Sequence, residues 1–175
     1  LGETVNDFDV YIKKKEVLLK LVQYYTKGLK DVEILDGAYK KELEESTFRT
    51  GQYATAIRTL REDQIKIYPG YEAGLKIEPI KDKKYTPVYI SPNAISLTDD
   101  VQIVVRFYGE VDEVHKTFDF IHATNYWTFG TGIVLNLAAV ESLLTKQLKY
   151  QGSHYPLTSI IRARKFIKRK WNIGS

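Results

Sequence analysis

The sequence predicts an α+β fold, a mixed and mainly antiparallel sheet flanked by helices. Three observations carry this. The chain opens strand, helix, strand, which calls for a layered arrangement. A run of strand-favouring segments at 86–109 is broken by the turns "SPN" and "TDD". Helical periodicity then returns in the last forty residues. With 175 residues, 43% hydrophobic and 27% charged, the chain suits one globular domain, 1–175, with a real core.

The opening "LGETVNDFDVYI" (1–12) reads as a buried strand, since Val5, Phe8, Val10, Tyr11 and Ile12 favour extended backbone. Asp7 and Asp9 interrupt it, sharing one face while Phe8 and Val10 take the other. Two neighbouring carboxylates repel, so something positive is expected beside them. "KKKEVLLKLVQYYTKG" (13–28) is an amphipathic helix, with Gly28 as its stop. "DVEIL" (31–35) is the next strand.

Residues 37–84 form an insertion of uncertain form, in which 39–45 and 54–61 are candidate helices and "YPGYEAG" and "PIKDKKYTP" are loops. "VYI", "AISLT" and "VQIVVRFYG" follow as strands. "EVDEVHKT" (110–117) is a short helix, and "FDFIHATNY" (118–126) returns to strand. "GIVLN" is a further strand, "AAVESLLTKQL" (138–148) a helix, and Pro156 opens a last helix to about Trp171.

Several classes are excluded. There are no cysteines, hence no disulfides or thiolate metal sites, which fits a reducing compartment. No apolar run approaches the roughly 18–20 residues that span a bilayer, so no membrane partner is expected. There is no Met, even at position 1, and the chain is expected to continue upstream of Leu1. Net charge is only +4, but "RARKFIKRKW" (162–171) gathers six cations. The bland reading of that run is the solvated face of a terminal helix. On the helix, Arg162, Lys165 and Arg169 make a basic stripe, and Ile160, Ala163 and Ile167 a core stripe.

The chemistry rests on carboxylates. Asp-x-Asp alone is nonspecific, but "FDF" (118–120) places Asp119 mid-strand between two phenylalanines. If that strand lies beside the first, Asp7, Asp9 and Asp119 converge, and such a trio needs cations. Oxygen-only ligands suit Mg²⁺. Of the other residues, Asn125 shares the face of Asp119 by parity, His122 does not, and Tyr126 and Trp127 read as core or rim packing.

These motifs carry a resemblance. "LGETVNDFDVYI" resembles the signature of the polymerase β-like nucleotidyltransferase superfamily, above all its tRNA nucleotidyltransferase and poly(A) polymerase branch. There "LG" leads through a short spacer into the metal-binding Asp-x-Asp. "KTFDFIHATNYW" (116–127) is similar to the branch's sugar-placing strand, and "SIIRARKFIKRKW" to its Arg-rich helix. Residues 93–127 also resemble phage-encoded proteins of nucleotidyltransferase type. The branch's phosphate loop would lie upstream of Leu1, and Thr117 stands where the branch has Arg.

The resemblance implies the nucleotidyltransferase fold and transfer of a nucleoside monophosphate from a nucleoside triphosphate to a hydroxyl acceptor, with RNA the expected acceptor. Asp7, Asp9 and Asp119 would hold two Mg²⁺ (or Mn²⁺) ions. Asn125, Arg162 and Lys165 would contact the nucleotide, and Lys168, Arg169 and Lys170 an RNA backbone. The implied location is the cytoplasm, of a phage-infected bacterium if the phage likeness holds. The alternative is an inactive nucleotidyltransferase-like binding module, or a viral structural or interaction protein whose thirteen tyrosines serve an interface. Oligomeric state is not readable.

Overall fold

The computed structural model describes residues 7–46, 50–70, 73–153 and 155–173. The described residues divide into two compact units, 7–110 and 111–173. Among the described residues, no helix is long and apolar enough to cross a membrane.

The N-terminal unit is built on a five-stranded sheet. Its strands are β1 (Phe8–Val10), β4 (Leu75–Lys76), β5 (Pro87–Ile90), β6 (Ala94–Leu97) and β7 (Val101–Val104), in the order β1-β7-β6-β5-β4. β1 runs parallel to β7 and every other pairing is antiparallel, the mixed, mainly antiparallel sheet the sequence predicts. Strand register sorts the side chains into rows. Leu75, Ile90, Ile95, Ile103 and Val10 stand opposite one another across all five strands. The adjacent row is polar: Lys76, Tyr89, Ser96, Gln102 and Asp9.

The apolar row needs a cover, because burying each such side chain is worth about 1.5–3 kcal/mol. Helix α1 (Lys15–Thr26) brings Leu18 and Val22, and strand β3 (Ile65–Tyr68) brings Ile65 and Ile67. α1 ends where Gly28 adopts φ +80°, a left-handed turn that glycine takes without strain. β3 pairs antiparallel with β2 (Glu33–Asp36). Its partner β2 supplies Leu35 to a second cluster with Tyr68 and with Tyr53, Ile57 and Leu60 from and just beyond α3 (Gln52–Arg58).

The insertion at 37–84 therefore has a form. It holds a 3-10 turn (Gly37–Tyr39), the expected helices α2 (Lys40–Ser46) and α3, and the unexpected strands β3 and β4. Gly37 lies so close to the Arg61 carbonyl that a Cβ there would overlap it.

The opening strand departs from expectation. It is three residues long and lies at the sheet edge, and both Phe8 and Val10 are exposed.

The C-terminal unit begins with α4 (Val111–His115). Residues 118–126 are not the strand the sequence suggests: Phe120 makes one isolated bridge to Tyr150, and Ile121–Ala123 form a 3-10 turn. The cause is local. The Thr124 amide and hydroxyl both bond the Ile121 carbonyl, the hydroxyl at 2.7 Å, which closes a turn where a strand would extend. Strands β8 (Tyr126–Thr128) and β9 (Gly132–Val134) form an antiparallel hairpin. Asn136 then caps α5 (Leu137–Thr145), its side chain accepting the Ala138 amide at 3.0 Å.

Strand β10 (Gln147–Leu148) pairs parallel with β11 (Asn172–Ile173), on either side of α6 (Pro156–Lys168). Phe120, Leu148 and Trp171 form the small core with Leu143, Ala163 and Phe166. The face of α6 that packs is thus Ala163 and Phe166, with buried Ser159. Ile160 and Ile167, two of the three expected core positions, are exposed.

Candidate functional site

The predicted site residues fall in both units, Asp7 and Asp9 in the first and Asp119, Asn125 and the cations of α6 in the second. Asp9 lies opposite Gln102 in the register of β1 and β7, and the Gln102 amide donates to its carboxylate at 2.7 Å. An amide dipole thus stands beside Asp9. Asp7, although exposed, has its carboxyl held above the ordinary value by partial desolvation and by the charges of Asp9 and Asp100.

Asp119 belongs to the other unit and to no strand of this sheet. Its side chain is 4% exposed and accepts from Arg162 at 2.6 Å. The carboxylate is neutralised by a guanidinium from α6, the charge partner that burial requires. Arg162, expected on a nucleotide, makes this pair while half of its side chain stays exposed. Among the described residues, no three His, Asp or Glu side chains group closely enough to hold a metal ion.

Asn125 accepts the Asn136 amide at 2.9 Å, joining the start of the hairpin to the cap of α5. Lys165 and Lys168 point from the exposed side of α6, Arg169 lies over the Phe166 ring at 6.0 Å, and Lys170 turns left-handed after the helix. His122 packs against Phe120, Phe166 and Trp171, and its Nδ1 has no hydrogen-bond partner. Burial among these rings lowers its pKa.

The feature that sequence reasoning missed is the outer face of the β8–β9 hairpin. Trp127 stands opposite Ile133 in the register, and Phe129 and Leu135 lie just beyond the ladder, at opposite ends of it. Their exposures are 63%, 74%, 95% and 60% in that order. The alternate residues Tyr126, Thr128, Gly132 and Val134 are only partly exposed, and Tyr126 meets the His115 ring edge-on. A half-buried hairpin ordinarily turns its apolar side inward and its polar side to water. This one turns its largest apolar side chains to water. A signal was present: from Phe120 to Val140 there is no Asp, Glu, Lys or Arg, where a 27% charged chain would place about six.

The two units differ in the same sense. Among the described residues, the N-terminal unit buries fourteen hydrophobic side chains and exposes seven large ones. The C-terminal unit buries five and exposes thirteen. Exposed apolar area on that scale marks a surface made to be covered.

Fold and surface together define an α+β protein with a well-packed sheet unit and a second unit that presents apolar side chains outward. The chain belongs to the Gabija anti-defense 2 family, whose model matches residues 1–146. No curated protein and no solved structure matches it.

The family match corrects two expectations. The chain is assigned to an anti-defence family, not to the nucleotidyltransferase branch that its short motifs resemble. Nucleotidyl transfer to RNA, the main functional expectation, is overturned with that assignment, and the alternative of a viral interaction protein agrees better. The phage origin suggested by the sequence stands in that coarse form. "LG" and Asp-x-Asp are too few residues to carry an assignment, and the third carboxylate that sharpened them is held by Arg162.

Proposed function

We propose that this protein counters Gabija defence by binding the defence complex inside the infected cell. The observation that carries the reading is the family match over residues 1–146. The outward apolar face of the C-terminal unit supports binding as the means, since such surface is stabilised when a partner removes it from water.

The test is infection of a Gabija-bearing host with a Gabija-sensitive phage, with and without the expressed chain, alongside titration of the purified chain into purified Gabija complex. Expression should restore plaque counts to those of a host without Gabija, and the two should associate. Folded, expressed protein that leaves plaque counts unchanged would contradict the anti-defence reading. Restored plaques without association would contradict binding as the means.

A further inference from the structure

We propose that the outward face of the β8–β9 hairpin, Trp127, Phe129, Ile133 and Leu135, is the docking element, and that it seats in an apolar, uncharged groove of a partner protein. This rests on the binding reading above and specifies its surface.

Four observations support it. Trp127 and Ile133 face each other across the ladder, and Phe129 and Leu135 follow β8 and β9 directly in the chain. At about 150–250 Å² per aromatic and less per aliphatic, their exposures leave on the order of 600 Å² of apolar surface. A standard interface covers about 800 Å² per partner. Next, β8 and β9 form a sheet of two strands, with no third strand beside them among the described residues. No lysine or proline guards those edges, the usual protection against pairing with another chain. A partner can therefore be gripped by side chains and by backbone hydrogen bonds together.

Chemistry narrows the occupant. With no Lys or Arg between Phe120 and Val140, the face has nothing to offer a phosphate backbone, which excludes nucleic acid here. A charged groove would lose its hydration against this surface without gaining a counter-charge, so the complement must be uncharged. The patch is also small for a permanent second copy, because obligate homodimers bury about 2,000 Å² or more in total. A separable protein partner fits the area best.

The test is titration of the full chain carrying W127S/F129S into purified Gabija complex, with melting and circular dichroism of each protein. Exposed positions tolerate such changes, so the variant should fold as the wild type does. Its affinity should fall about thirtyfold, as expected when two central anchors are removed. Ile133→Thr, on the facing strand, should weaken binding less and in the same direction. Wild-type affinity in both variants would overturn the hairpin assignment and leave the binding reading intact. Failure of the wild type itself to bind would sink that reading instead. Sedimentation showing a wild-type dimer that W127S/F129S converts to monomer would make a second copy the occupant and overturn the partner proposed.

Discussion

The N-terminal and C-terminal units are made from similar residues and use them in opposite ways. In the first, a row of Leu75, Ile90, Ile95 and Ile103 is covered by α1 and by β3, and only Val10 at its edge stays exposed. In the second, the apolar pair Trp127 and Ile133 of the hairpin, with Phe129 and Leu135 just beyond opposite ends of its ladder, is left exposed. The same alternation of side chains builds a core in one place and a surface in the other. What differs is whether a second layer is laid on the apolar face. A unit with its rows closed is suited to holding shape, and one with an open row is suited to contact.

The largest effect that would break this contrast is in the closed unit. Ile95 is fully buried at the centre of its row. Ile95→Ala should cost about 3 kcal/mol through lost burial and the cavity left behind, read by denaturant unfolding. A loss under 1 kcal/mol would mean that the row is not packed as described. Next in size is the buried ion pair of the second unit. Arg162→Met strands the Asp119 carboxylate and should cost roughly 2 kcal/mol, less than a fully buried pair because Arg162 is half exposed. Adding Asp119→Leu should recover most of that loss, which a double-mutant cycle reads directly.

A smaller effect concerns pH. His122 is buried among rings with its pKa lowered, so the folded state prefers the neutral imidazole. Its contribution is fully present above the unfolded value of about 6.5. It is lost as pH falls through the lower folded value, because the proton then binds more tightly to the unfolded chain. Acidification should loosen the packing around Trp171, seen as a change in tryptophan fluorescence. His122→Phe should remove that transition. Smallest of all, Phe129→Ser should alter stability by no more than about 0.5 kcal/mol, and a larger loss would show that the tip is already packed.

Much of the fold is readable in the residues. Helical spacing and Gly28 place α1, the turns "SPN" and "TDD" separate β5, β6 and β7, and Pro156 starts α6. Three things are not readable, each for a physical reason. The 3-10 turn at Ile121–Ala123 is closed by a Thr124 hydroxyl, a local bond that competes with strand formation and leaves no periodic trace. α6 has hydrophobic residues on more than one face, so periodicity leaves its buried side undecided between Ile160 and Phe166. The open face of the hairpin has the pattern of a core strand, since alternation reveals an apolar face and never whether something covers it.

The candidate site was legible only in part. Asp9 lies on β1 and Asp7 just before it, but the likeness of a few motif residues cannot reveal that Asp119 is paired with Arg162. A charge-free stretch of twenty-one residues, visible without any structure, was the better guide to contact.

Hydrogen exchange of the chain, free and bound to purified Gabija complex, tests the central claim most directly. Amides of residues 126–135 should slow markedly on binding, while those of β6 and β7 keep their free rates. A complex that forms with the hairpin exchanging as fast as before would contradict the account.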